Sequence, residues 1–160
     1  MEDYQLLILA RALHVFGVVI WIGGVAFVTL VLIPALRLQP DEMQRMALFE
    51  QLEGRFAAIA KFTTLVTGIS GFYLIETLNL WQRYASAEFW WMHAMTLIWL
   101  IFSLILFVFE PLFLHRWYHQ QAQINSDRTF AVMQKLHWTL LTVSLITVLA
   151  AVAGSHGWVF

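Results

Sequence analysis

Residues 12–36 read ALHVFGVVIWIGGVAFVTLVLIPAL and contain no Asp, Glu, Lys or Arg. At about 1.5 Å per residue, a helix of this length is longer than the roughly 30 Å hydrocarbon core of a bilayer. In lipid, a chain must satisfy its own backbone hydrogen bonds, and the stretch lacks the alternating pattern of a barrel strand. The stretch therefore predicts a transmembrane helix.

Three further stretches lack charged side chains, at residues 62–75, 89–109 and 136–160. The whole chain is 61% hydrophobic and 12% charged, far outside the range of soluble domains. Its 160 residues leave little room for anything beyond four spans. We therefore predict an all-α integral membrane four-helix bundle forming a single domain, residues 1–160. The predicted spans are about residues 8–36, 57–80, 89–113 and 135–156.

Composition and charge exclude several classes of function. A net charge of -1 with scattered basic residues does not favour nucleic-acid binding. Without cysteine, the chain can form neither a disulfide nor a thiolate metal site. The N-terminus, MEDYQLLILAR, is acidic, whereas a cleaved signal peptide begins with basic residues. We expect the first span to be retained.

The connection between the first two spans carries Pro40 and Asp41, a helix start signal. After them, apolar residues recur at helical spacing, which predicts an amphipathic interfacial helix between helices 1 and 2; they are Met43, Met46, Phe49, Leu52, Phe56 and Ile59. In the second span, Gly68-x-x-Gly71 could support a homo-oligomer or pack inside the bundle.

Basic residues indicate the orientation. Seven Lys and Arg flank the first and third connections, at 37, 45, 55, 61, 116, 128 and 135, against two, Arg11 and Arg83, on the other side. By the positive-inside rule, loops 1 and 3 are cytoplasmic and both termini are outside, in a bacterial-type inner membrane.

His14 and His93 are the leading candidate site residues, because an intramembrane imidazole is costly unless it is paired, hydrated or coordinated. By chain topology both lie about 5–12 Å below the outer boundary. Gly17 leaves room for a flat group beside His14, and Arg11 lies one turn further out, where it could pair with a carboxylate. The pattern favours a bis-histidine haem b between helices 1 and 3, with His14 and His93 as iron ligands.

Other readings stay open. Either histidine could hydrogen-bond a neighbouring helix, and the glycines could be packing surfaces. Met92, His93 and Met95 could bind copper(I), although Met92 and His93 point about 100° apart on a helix. His137 lies near the other end of the bundle, and solvation is expected for three boundary histidines, His115, His119 and His156. A cofactor-free structural or assembly subunit is the remaining reading.

A second group of charged and ionisable residues gathers at the predicted cytoplasmic side: Arg55, Lys61, Glu110, His115 and His137. A buried Glu110 needs a cation nearby, so a structural ion-pair cluster is expected. A quinone head-group site or a proton path is the alternative.

The chain resembles the membrane superfamily of CopD-type copper-resistance proteins and HemJ-type protoporphyrinogen oxidases. The resemblance rests on ALHVFG and WIGG in the first span, Arg55-Phe56, Thr67-Gly68 and Trp91-Met92-His93-Ala94-Met95. It implies haem b at His14 and His93, or copper handling. In the HemJ-type proteins a lysine stands where this chain has Met95, which disfavours protoporphyrinogen oxidation. We expect electron transfer or another haem-dependent oxidoreductase role, with a quinone or a redox protein as partner, and no catalytic residue is singled out.

Overall fold

The computed structural model describes residues 2–158, apart from the side chains of Glu2, Leu114, His115, Tyr118, His119, Ala122 and Gln123. The predictions for His115 and His119 therefore lie outside the described side chains. The helices are α1 (Glu2–Phe27), α2 (Ile33–Arg37), α3 (Glu42–Thr77), α4 (Trp90–Leu104) and α5 (His115–Ser155). Two π-helical segments, Val28–Leu32 and Ile105–Leu114, and two 3-10 segments, Leu80–Ala85 and Ala87–Phe89, complete the order.

Four helical stretches are long and apolar enough to cross a membrane: Asp3–Arg37, Glu42–Thr77, Ala87–Phe113 and Ile124–Ser155. The predicted all-α four-helix bundle is confirmed. Many large apolar side chains on these stretches are exposed on the bundle surface, among them Phe16, Val19 and Ile69. Because a soluble protein rarely exposes so much continuous apolar surface, the bundle surface indicates a lipid bilayer environment.

The helices alternate in direction. Gly17 of α1 packs at Thr67 of α3, Gly68 of α3 packs on Trp99, and Gly154 of α5 packs on Trp91. The start of α1, residues 78–89 and the end of α5 thus share one end of the bundle, here called the terminal end. Residues 38–41 and Asn125 lie at the opposite end, the loop end.

The predicted interfacial helix is not a separate element: it is the first half of α3, which runs unbroken from Glu42 to Thr77. Asp41 caps this helix by accepting hydrogen bonds from the backbone N–H groups of Met43 and Gln44. Part of the apolar face of this half packs on protein, since Phe49 is 2% exposed and meets Phe130 edge-to-face at 5.6 Å between ring centroids. Met43, Leu52 and Ile59 of the same face are exposed. An amphipathic period does not distinguish a lipid boundary from a neighbouring helix, and no proline breaks the chain after Pro40.

The two π-helical segments occur near prolines. Ile33, just before Pro34, donates its N–H to the carbonyl of Val28, five residues earlier, and Pro111 lies inside the second segment. Proline lacks the N–H that an α-helix needs, so the turn around it widens. Glu110 lies in the second of these widened segments.

The connection between the last two spans contains a single non-helical residue, Asn125. Asn125 has non-helical φ -158° and ψ 95°, and its side-chain oxygen accepts a hydrogen bond from the Arg128 N–H at 2.9 Å. Asparagine favours this helix-starting position because its oxygen satisfies a free backbone donor. The polar connection between the third and fourth spans is therefore helical on both sides of the capping residue, Asn125.

Two apolar clusters fill the bundle. The mid-bundle cluster joins three helices through Trp21, Ile22, Val25, Ile98, Phe102 and Leu141. The loop-end cluster joins α2, α3, α5 and the first π segment through Val28, Leu32, Ile33, Leu36, Phe49, Phe130 and Met133. The terminal end, where the candidate histidines lie, is outside both clusters.

Candidate functional site

His14 is half-buried between α1 and α3. Its Nδ1 lies 2.9 Å from the backbone carbonyl oxygen of Thr67, and the Ser70 Oγ lies 3.4 Å from the same nitrogen. A carbonyl oxygen only accepts hydrogen bonds, so this contact places the proton on Nδ1. The lone pair is then on Nε2, for which the described part of the chain provides no hydrogen-bond partner.

The glycines around His14 let the two helices approach closely. A Cβ on Gly71 would lie 3.0 Å from the His14 Cε1, so the imidazole rests directly on the α3 backbone. A Cβ on Gly17 would collide with the Thr67 hydroxyl and lie 3.2 Å from the Thr63 carbonyl oxygen. The space beside Gly17, which was predicted to accommodate a flat cofactor, is thus filled by α3.

The two glycines of the Gly68-x-x-Gly71 motif also contact other helices of the bundle. A Cβ on Gly68 would lie 2.5 Å from the Trp99 ring, and Gly71 faces His14. Both glycines therefore make close contacts inside the bundle.

His93 is exposed at the start of α4. Its Nε2 donates to the Tyr84 carbonyl oxygen at 3.0 Å, and its ring meets the Tyr84 ring edge-on at 5.1 Å between centroids. Tyr84 is itself held by a 2.8 Å hydrogen bond between its hydroxyl and that of Thr96. By the same tautomer argument, the lone pair of His93 is on Nδ1.

Both imidazoles lie toward the terminal end, but each is held by a different backbone carbonyl. In residues 2–158, the described side chains show no hydrogen bond or ring contact between His14 and His93. Nor does any group of three or more His, Cys, Asp or Glu side chains there form a metal-binding cluster.

A bis-histidine haem can be tested against these positions. His14 fits, because a metal-bound histidine commonly donates its other ring N–H to a carbonyl, as Nδ1 does here. His93 fits only by ligating through Nδ1 or by releasing Tyr84. Gly17 does not form a cradle, since α3 fills its face.

Arg11 lies one turn from His14 toward the terminal end of α1. It is exposed and borders a shallow, open, apolar depression lined by Ile8, Ala12, Val15, Phe16 and Val19. No acidic side chain of the described residues forms an ion pair with it. An anionic group at this surface would meet an unpaired guanidinium.

The residues of the copper interpretation point apart. Met92 is buried in the bundle and Met95 is half-buried, whereas His93 is exposed. His137 donates Nδ1–H to the Met133 carbonyl of its own helix at 2.9 Å, and His156, which is exposed, does the same toward Val152 at 2.7 Å.

In the charged group toward the loop end, Lys61 and Glu110 form an ion pair at 2.6 Å. The expected ion pair is confirmed for these two residues, which join α3 to the second π-helical segment. Arg55 is exposed, and the His115 side chain is not described. This contact is an inter-helix link that lies further from the terminal end than the histidines do.

We expect Lys61→Met and Glu110→Gln each to lower the free energy of unfolding by about 1–2 kcal/mol. The side chains are 33% and 25% exposed, so solvent screening keeps the loss below that of a fully buried pair. The double variant should lose less than the sum of the two, with a coupling of about 1 kcal/mol measured by denaturation in detergent. Strictly additive losses would show that the two groups do not interact in solution.

The polar residues of α3 around His14 were not predicted from the sequence. Thr63, Thr64, Thr67 and Ser70 are buried, and they line the face of α3 that meets α1 and α4. Hydroxyl residues that recur at helical spacing in a span indicate a face that meets another helix, and Thr63, Thr67 and Ser70 have this spacing.

No known protein family, curated protein sequence or solved structure matches this chain.

Proposed function

We propose that this chain is a small b-type haem protein of the membrane, with His14 as one axial ligand of the iron. Its role would be electron transfer or an oxidoreductase reaction, with a quinone or a redox protein as partner. The observation that carries the proposal is the 2.9 Å contact between the His14 Nδ1 and the Thr67 carbonyl oxygen.

That contact prepares His14 to act as an iron ligand in three ways. It sets the tautomer, it holds the ring against the Gly71 backbone, and it leaves the Nε2 lone pair without a partner among the described residues. Fixing the ring in advance lowers the entropy lost when a cofactor binds.

His93 is the proposed second ligand, because its ring is also held by a backbone carbonyl and it lies toward the same end of the bundle. Arg11 would pair with a carboxylate of the cofactor. When bound, haem would supply a one-electron couple whose potential its axial nitrogens help to set.

We further propose that the loop end faces the cytoplasm. Arg37, Arg45 and Arg128 lie toward this end, whereas Arg11 and Arg83 lie toward the other, and the excess of basic residues marks the cytoplasmic side. The histidines would then lie in the outer half of a bacterial-type inner membrane.

The test is a visible spectrum of the detergent-purified protein, oxidised and reduced. We expect sharp reduced α and β bands that disappear in His14→Ala and weaken strongly in His93→Ala. His156→Ala is the matched control, because that exposed imidazole also donates to a carbonyl and should leave the bands unchanged. Bands that survive His14→Ala at full intensity would refute the proposal.

One observation favours a second candidate, a cofactor-free structural or assembly subunit. Gly17 and Gly71 bring α1 and α3 so close that the His14 hydrogen bond also serves to pin the two helices. Under this alternative the purified protein is colourless, and His14→Ala lowers its stability. A colourless protein that carries copper would instead point to the CopD-type interpretation.

A further inference from the structure

Each of the four spans contributes at least one buried polar atom that has no hydrogen-bond partner among the described residues. Four of these atoms lie toward the middle of the bundle: the Trp21 Nε1, the Thr64 Oγ1, the Ser103 Oγ and the Ser144 Oγ, here called the mid-bundle polar set. The Ser126 Oγ and the Gln134 Oε1 of the fourth span also have no partner among the described residues, but they lie nearer the loop end. Trp21 is 3% exposed, Thr64 0% and Ser144 2%. A single such atom could be a local defect, but the occurrence of at least one on every span is a pattern.

The four atoms lie at similar depth. Thr64 is 13 residues before the end of α3 at Thr77, and Ser103 is 13 residues after the start of α4 at Trp90. At about 1.5 Å per residue, both lie about 20 Å from the terminal end. Ser144 is 11 residues before the end of α5 at Ser155, which is about 17 Å. These depths correspond to the middle of a bilayer.

By its contacts, Trp21 lies within about one helical turn, roughly 5 Å, of this level. It is one helical turn beyond Gly17, which packs against the Thr63 carbonyl. Its ring meets Phe102, the neighbour of Ser103, edge-to-face at 4.9 Å between centroids.

The mid-bundle cluster links the set laterally. Leu141, one turn from Ser144, packs in the same cluster as Trp21 and Phe102. Trp99 packs against that cluster and donates its Nε1–H to the Thr64 carbonyl oxygen at 2.9 Å. Each of the four residues thus belongs to this cluster, neighbours one of its members, or bonds a residue packed against it.

Neighbouring hydroxyls show that this lack of partners is not general. Thr63 and Thr67 donate to carbonyls of their own helix, at 2.9 Å to Ile59 and 2.8 Å to Thr63, whereas the Thr64 hydroxyl does not. The Trp21 indole can only donate. In a dry apolar interior, unpaired groups of this kind are strongly unfavourable.

We propose that the mid-bundle polar set binds one or more buried water molecules at the middle of the membrane span. Water fits because it accepts from the Trp21 N–H and both donates to and accepts from the three hydroxyls. The set contains no charged group, so it suits a neutral ligand. The site does not depend on the proposed haem and would be present in the cofactor-free protein.

The experiment measures magnetisation transfer from water to tryptophan indole N–H groups in the ¹⁵N-labelled full-length protein in detergent or nanodiscs. Trp99 is the internal control, since its indole N–H is at the same level but already bonded to the Thr64 carbonyl. We expect a water cross-peak at the Trp21 indole N–H that is several-fold stronger than at Trp99. Equal or absent transfer at Trp21 would overturn the proposal.

A second measurement uses near-isosteric variants, Thr64→Val and Ser144→Ala, whose small changes should be tolerated by the fold. If water bridges the set, each variant removes a partner of that water, and the melting temperature stays the same or falls. If the set is dry, each variant removes an unpaired hydroxyl, and the melting temperature rises. A rise in both variants would contradict the proposal.

Discussion

Gly17→Leu should destabilise the folded protein by about 3 kcal/mol, because a side chain at this position has no space to occupy. A Cβ alone would collide with the Thr67 hydroxyl and lie 3.2 Å from the Thr63 backbone carbonyl. The hydroxyl can rotate, but the carbonyl is part of the α3 backbone, so the two helices must separate. Separation also breaks the His14 hydrogen bond to Thr67. The measurement is the free energy of unfolding in detergent, by thermal or chemical denaturation.

Gly23→Leu is the matched control on the same helix. A Cβ at Gly23 meets nothing within 4 Å, so the new side chain points into open space on the bundle surface. We expect a change below about 0.5 kcal/mol, typical of surface substitutions. Equal losses in the two variants would mean that leucine harms α1 itself and that the α1–α3 contact is not responsible.

The four-helix fold could be predicted from the chain because lipid imposes a simple rule. A stretch such as residues 12–36 without a charged side chain must bury its backbone polar groups in a helix, whatever its neighbours are. Neighbours matter for the first half of α3. There the apolar period predicted one covered face, and the loop-end cluster with Phe130 covers part of it. Met43, Leu52 and Ile59 of that face are exposed.

The position of the candidate histidines along the bundle could be predicted from the sequence, but the helix that each one faces could not. Counting residues placed His14 and His93 toward the same end of the bundle, and the structure has both toward its terminal end. What counting does not give is which helix each residue faces. That choice depends on where glycines permit close approach, and Gly71 draws His14 onto α3, while Tyr84 holds His93 at the surface.

Arg45→Met should cost about 3 kcal/mol of folding free energy, the second large effect. Arg45 is 5% exposed at the loop end, and its guanidinium makes two hydrogen bonds to the Gln39 carbonyl oxygen, at 3.1 and 2.7 Å, and one to Asp127 at 2.5 Å. It also lies 5.8 Å from the centre of the Phe130 ring. One side chain thus ties the end of the first connection to α5, and methionine keeps only its apolar stem.

The control is Asp127→Asn, which removes the charge of the partner and keeps its shape. Asp127 is 77% exposed, so most of its charge remains solvated and the expected loss is below about 1 kcal/mol. The contrast separates two roles of Arg45, because a surface ion pair would make the two variants equal. A larger loss for Arg45→Met shows that the guanidinium acts mainly as a buried donor to the Gln39 carbonyl. Equal small losses would show instead that the first half of α3 is held to α5 by the loop-end cluster alone.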